Sequence, residues 1–217
     1  GNFGHAYAGW TAKNMGLSFK GINVATNKND VLHRLFLEDL YQQKEASSSL
    51  APSMDISVAS NFERLLFEVF KKDGLLLKNL FSSFPSKSIN LSNLPDDKWN
   101  KIKDFFQSST CSDADIIETI VNKYNYENIL LDPHTATAIK GNKDLNYDLS
   151  EVVTFATAHP AKFPDAINAK LDVLEENTPL KLKEIMTKDE SYSVIENKYE
   201  DVVLSLIHIS EPTRLRL

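Results

Sequence analysis

The first four residues constrain this chain more than any other stretch. Gly1-Asn2-Phe3-Gly4 is a glycine-bracketed turn that runs directly into Ala6-Tyr7-Ala8-Gly9-Trp10-Thr11-Ala12-Lys13, a helix-forming segment. A turn at a helix start leaves backbone N–H groups without intrahelical partners, and the helix dipole favours negative charge beside them. Glycine lets the backbone approach an anion with no Cβ in the way. Residues 1–4 are therefore a candidate phosphate cradle. A strand normally leads into such a cradle. None precedes residue 1, so the chain is expected to be the back part of a larger protein. Gly-Asn turns are common, and the cradle needs support from the rest of the sequence.

The following segments read as an α/β arrangement. A helix over 5–15 stops at Gly16, residues 21–26 (GINVAT) form a strand, and 30–40 a second helix. Helix, strand and helix in succession suggest a parallel sheet. Residues 44–49 (KEASSS) read as a loop. Over 61–72, Phe62, Leu65, Leu66, Val69 and Phe70 recur at helical spacing with one buried face. Residues 82–94 read as a connection. Pro95 with its following acids starts a helix over 95–106, and Ser112 caps another over 112–124. A helix begins at Asp132-Pro133, 152–156 (VVTFA) reads as a buried strand, and 166–174 and 180–186 are late helices.

Composition narrows the function. The chain has 217 residues, 42% of them hydrophobic, enough for a real core. A net charge of −6 argues against a nucleic-acid partner. No apolar run approaches the roughly 20 residues that span a bilayer. The single cysteine, Cys111, has no internal disulfide partner, which fits a reducing cytoplasm. Because Ser112-Asp113 follows it, Cys111 is expected at the surface or beside a helix cap. The five histidines occur singly, without metal-ligand spacing.

Three further places carry candidate chemistry. Thr157 follows the 152–156 strand, so it is expected at a strand's carboxyl end, where ligands bind in open α/β sheets. Ser60 or Asn61 would cap the next helix, and Glu63 suits its first turn. That accounts for them structurally, yet the same helix start can face an anionic substrate. Arg64, one turn on, suits bidentate contact with a phosphate or carboxylate. His5 is read as facing solvent from the first helical turn, His134 and His159 as imidazoles positioned in the core or just behind the site, and Lys162 as a solvated loop residue.

Residues 1–16 (GNFGHAYAGWTAKNMG), 24–34 (VATNKNDVLHR), 52–67 (PSMDISVASNFERLLF), 131–138 (LDPHTATA) and 154–165 (TFATAHPAKFPD) resemble threonine synthase, in the family's order. The resemblance implies an α/β, parallel-sheet large domain of the fold type II pyridoxal-phosphate (tryptophan synthase β-like) architecture, truncated at the N-terminus. It implies pyridoxal 5′-phosphate as cofactor. The N–H groups of Gly1, Asn2, Phe3 and Gly4 would hold its phosphate, and Thr157 would face its ring nitrogen. Ser60, Asn61 and Arg64 would line the site of the small-molecule substrate, O-phospho-L-homoserine, converted with water to L-threonine and phosphate. The family usually has Asp or Asn where this chain has His5. Its Schiff-base lysine lies well upstream of the glycine turn, and no lysine here matches it. The chain by itself is expected to be inactive. A serine or threonine dehydratase of the same fold group, and a non-catalytic phosphate binder, are the alternatives. Oligomeric state is left open.

The end of the chain reads differently. Residues 204–214 (LSLIHISEPTR) resemble the translated read-through of a sequencing-library adapter. Residues 1–203 are taken as the native domain and 204–217 as a non-native tail, so His208 is not counted as a ligand.

Overall fold

The computed structural model describes residues 1–94 and 98–210, the side chains of 98 and 207–210 aside. The expected helix start at Pro95 lies outside the described residues, as does 211–217 of the expected tail. Two compact units divide the chain, 1–178 and 179–217. The second contains α10 (Leu180–Met186) and α11 (Tyr199–Ser210). No helix among the described residues is long and apolar enough to cross a membrane.

The first unit opens with α1 (Gly4–Asn14), ended by Gly16 at φ 109, where a side chain would be strained. Then come β1 (Ile22–Thr26), α2 (Val31–Glu38) and β2 (Leu40–Tyr41). α3 (Phe62–Val69) buries the predicted face, with Phe62, Leu65, Leu66 and Val69 against the core. α4 (Gly74–Leu80), β3 (Ile89–Asn90), α5 (Lys98–Lys103) and β4 (Phe106–Thr110) follow. α6 (Asp113–Glu127) starts with a complete capping box between Ser112 and Asp115. After α7 (Pro133–Asp144), α8 (Pro164–Asn168) and α9 (Leu174–Asn177) are short, where one longer helix was expected over 166–174.

β1 and β4 pair in parallel, from Ile22 opposite Phe106 to Thr26 opposite Thr110. Strand alternation divides the two faces. Val24 and Phe106 join a core of Phe3, Phe36, Tyr41, Phe62, Trp99 and Phe105. Phe36 stacks on Phe106 and on Trp99, at centroid distances of 5.2 and 5.9 Å. The Trp99 indole donates to Asp39 at 2.6 Å, satisfying its one polar atom. Asn23 and Ser109 turn the other way, toward α7. Asn23 Nδ2 donates to Asn142 Oδ1 at 3.0 Å, and Ser109 Oγ to Asn23 Oδ1 at 3.3 Å. A smaller core of Ala51, Cys111, Ile116, Ile120, Leu131, Ala136, Ala166 and Ile167 gathers under α6, α7 and α8.

Several expectations change here. Phe106 is not the end of a helix but the start of β4. Residues 82–94 contain β3, which pairs antiparallel with β2. Cys111 sits beside the Ser112 cap, but it is buried at 3% exposure rather than at the surface. Burial pushes its thiol pKa up to about 12. Residues 152–156 do not form a strand: Val153 and Phe155 are 79% and 62% exposed. β-branched residues favour an extended backbone, but a strand also needs a ladder partner. Here side chains of α7 hold the segment instead.

Candidate functional site

The Phe3 side chain anchors the glycine turn in its conformation. Phe3 has φ 75 and ψ −2, the left-handed region, which costs a non-glycine residue about 1–2 kcal/mol. Its ring compensates by packing on Phe62 and Phe106 at 5.5 Å each and on Phe36 at 5.9 Å. A left-handed residue followed by a helical one curls successive N–H groups into a concave nest for anions. Close approach surrounds the turn. A Cβ on Gly1 would stand 2.5 Å from the Ser53 carbonyl oxygen, and one on Gly4 would stand 3.4 Å from both Asn2 Oδ1 and Asn61 Nδ2. The Gly4 N–H points to Asn2 Oδ1 at a long 3.3 Å. A backbone-only cradle with this curl fits a phosphate group.

The turn is docked onto the start of α3. The Asn61 N–H donates to the Asn2 carbonyl at 3.2 Å, and Asn2 Nδ2 to Ser60 Oγ at 3.4 Å. Asn61 occupies the N-cap position but makes no side-chain cap bond, and neither does Ser60, contrary to expectation. Both are turned to the glycine turn instead. Arg64 is exposed on α3, with no side-chain partner among the described residues. His5 is exposed, and its ring meets Phe155 edge-on at 4.9 Å. Lys162 is exposed, and His159 Nδ1 accepts from the Ala161 N–H at 3.2 Å.

Thr157 is placed by α7, not by a strand end. Asn142 Nδ2 donates to Thr154 Oγ1 at 3.0 Å, and the Thr157 N–H donates to Thr135 Oγ1 at 3.3 Å. Thr135 and Asn142 are seven residues apart on one helix face, about 10.5 Å along the axis. Three extended residues span about the same length. The segment therefore runs along α7, pinned at both ends, with the Thr157 side chain exposed.

His134 is buried, with Phe163 of the HPAKF stretch against its ring at 4.5 Å. Its Nε2 accepts from the Ser53 N–H at 3.1 Å, and its Nδ1 lies 3.0 Å from Asp132 Oδ1. Asp132 also accepts from the N–H groups of His134 and Thr135 and from Thr135 Oγ1. Burial alone would raise the Asp132 carboxyl pKa. The hydrogen bonds from His134 and Thr135 outweigh it and hold the group below its ordinary range. Hydrogen bonds thus link Ser53 through His134, Asp132 and Thr135 to Thr157, and the Ser53 carbonyl packs against Gly1. Asp132 and Ser53 were not among the expected site residues. The Asp-Pro helix start was visible, but a cap has no sequence mark for onward partners.

An α/β domain that opens α1 from such a turn, beside a parallel strand pair, has the architecture of the fold type II pyridoxal-phosphate proteins. The finer assignment comes from comparison. The family described as "Threonine synthase, C-terminal" matches residues 135–207, which includes the first four residues of the expected tail. Threonine synthase of Pseudomonas aeruginosa is 37% identical over 203 residues, covering 93% of this chain and 43% of that protein. The crystal structure of pyridoxal-phosphate-bound threonine synthase from Brucella melitensis superposes with a TM-score of 0.81 at 34% identity, over 97% of this chain and 45% of that one. Yeast threonine synthase superposes at 0.78 with 31% identity, over 97% and 45%. The chain is thus similar, over nearly its whole length, to threonine synthases, and it spans under half the length of those relatives.

Proposed function

We propose that this chain forms the phosphate-holding and ring-facing wall of a pyridoxal 5′-phosphate-dependent threonine synthase. The whole enzyme is then a carbon–oxygen lyase acting on phosphates. It converts O-phospho-L-homoserine and water to L-threonine and phosphate in the cytoplasm. The cofactor, when bound, supplies an electron sink for carbanions on the substrate. The N–H groups of Gly1, Asn2, Phe3 and Gly4 hold its phosphate, and the Thr157 hydroxyl bonds to its ring nitrogen. Ser60, Asn61 and Arg64 face the substrate, Arg64 as the counter-charge to its phosphate. Residues 204–217 take no part.

The observation that supports this reading is the hydrogen-bonded path that runs from Ser53, whose carbonyl packs against Gly1, to Thr157. Both segments lie in the sequence blocks that resemble threonine synthase, and α7 carries His134 and Thr135, the residues that reach toward each. The Schiff-base lysine has no counterpart among these residues, so the 217-residue chain by itself should release no phosphate from O-phospho-L-homoserine. Borohydride reduction with pyridoxal 5′-phosphate should trap no single stoichiometric lysine adduct. Such an adduct accompanied by turnover would overturn the division of labour. In an intact enzyme, Thr157→Val should lower turnover by roughly 5- to 150-fold, the loss of about 1–3 kcal/mol of hydrogen bonding. Unchanged kinetics with an unchanged cofactor spectrum would remove Thr157 from the site.

A further inference from the structure

Asp132 does more than a helix cap requires. Its carboxylate is 1% exposed and takes four donors: the N–H groups of His134 and Thr135, His134 Nδ1, and Thr135 Oγ1. Capping explains the two backbone donors. The other two are side chains that reach onward to separate segments.

The first arm is His134. Its Nε2 accepts the Ser53 N–H at 3.1 Å, so the ring proton resides on Nδ1 and is donated to Asp132. The carboxylate thereby selects the tautomer that can accept from Ser53. Ser53 in turn places its carbonyl oxygen 2.5 Å from where a Gly1 Cβ would stand, closing the back of the turn. The second arm is Thr135. Its hydroxyl gives its one proton to Asp132, which leaves lone pairs to accept the Thr157 N–H at 3.3 Å. Each arm depends on an acceptor-only group at position 132. An amide there would either set its N–H donors against His134 Nδ1–H, turning that arm away, or force Thr135 Oγ1 to accept where it now donates, weakening its hold on the Thr157 N–H.

We propose that Asp132 is a positioning residue, a single buried carboxylate that sets the glycine turn through His134 and Ser53 and sets Thr157 through Thr135. No proton moves; the carboxylate works by fixing which atoms donate and which accept. Its importance for catalysis rests on the reading that these two segments hold pyridoxal 5′-phosphate.

The test is amide hydrogen exchange on the ¹⁵N-labelled 217-residue chain, with ¹⁵N shifts of the His134 ring. In the parent, His134 should be the Nδ1–H tautomer. In Asp132→Asn, the Ser53 or the Thr157 amide, or both, should exchange roughly tenfold faster, as expected on losing one hydrogen bond, while core amides such as Leu65 and Ile120 keep their rates. His134→Phe should loosen Ser53 alone, and Thr135→Val should loosen Thr157 alone. These single-arm variants decide the matter if Asp132→Asn fails to fold. Unchanged Ser53 and Thr157 rates in them, or an Nε2–H tautomer in the parent, would overturn the proposal. Titration with pyridoxal 5′-phosphate separates this from the cofactor reading. If the exchange pattern is as expected but the cofactor moves neither the resonances of 1–4 nor those of Thr157, and Thr157→Val in an intact enzyme leaves kinetics and cofactor spectrum unchanged, the positioning role stands and the assignment of Thr157 to the cofactor ring falls.

Discussion

Gly141→Ala tests how closely α7 rides on the sheet, and so how tightly the site's bracket is fixed. A Cβ at 141 would lie 2.0 Å from Ser109 Oγ, 2.8 Å from Ser109 Cβ and 3.2 Å from Asn23 Nδ2. Rotating Ser109 relieves the first contact but gives up its 3.3 Å hydrogen bond to Asn23. No rotation moves Ser109 Cβ, which is part of strand β4. On the favourable side, alanine suits a helix interior better than glycine by about 0.5–1 kcal/mol. Against it stand overpacking, typically about 1–3 kcal/mol, and the lost hydrogen bond, about 1 kcal/mol. The balance is a destabilisation of about 1–3 kcal/mol by these terms. Urea unfolding followed by ellipticity should show a lower midpoint with an unchanged slope. In a Ser109→Gly background both close atoms are gone, and the same substitution should become neutral or stabilising. A double-mutant cycle isolates that coupling. A raised midpoint in the single variant, or a coupling near zero, would refute the close approach.

Three other outcomes follow from the structure. The folded-state pKa of Asp132 lies below the ordinary 3.8, so its contribution is fully present above that value and is lost as pH falls beneath it. The urea midpoint should drop below about pH 4 less steeply in Asp132→Asn than in the parent, and equal slopes would contradict the shift. Cys111, 3% exposed with its thiol raised to about 12, should not react with an aromatic disulfide reagent at pH 8 until urea unfolds the chain; rapid native labelling would show that the smaller core is open. Deleting residues 204–217 should shift the unfolding free energy by no more than about 0.5 kcal/mol, and a loss of several kcal/mol would show that segment to be native.

The legible parts of this sequence were those where one local signal decides. Gly16 ends α1 because its φ suits glycine, the spacing of Phe62, Leu65, Leu66 and Val69 matches one helix face, and Ser112 with Asp115 completes its capping box. Gly1 lies where an added side chain would meet Ser53, and Gly4 where one would meet Asn2 and Asn61. The illegible parts depend on partners far along the chain. β4 reads Phe-Gln-Ser-Ser-Thr because one of its faces meets the polar Asn23 and Asn142 beneath α7, so the usual apolar alternation is absent. Residues 152–156 had the right residue types for a strand but no ladder to join. Asp132 looked like a cap, since its second role needs Ser53 and Thr157, which only the fold brings near.

The parallel pair also sets an order of assembly. Its register joins Ile22 to Phe106 and Thr26 to Thr110, so 84 residues of chain must be gathered before one ladder bond forms. Closing a flexible loop of that size costs about 4 kcal/mol of chain entropy. α6 and α7, by contrast, are joined by a short connection and can pair without it. Local helix pairing should therefore come first and the sheet late. Truncations in β1, such as Val24→Ala, should accelerate unfolding and leave the refolding rate almost unchanged. A refolding rate that fell in full proportion would instead make the sheet the nucleus.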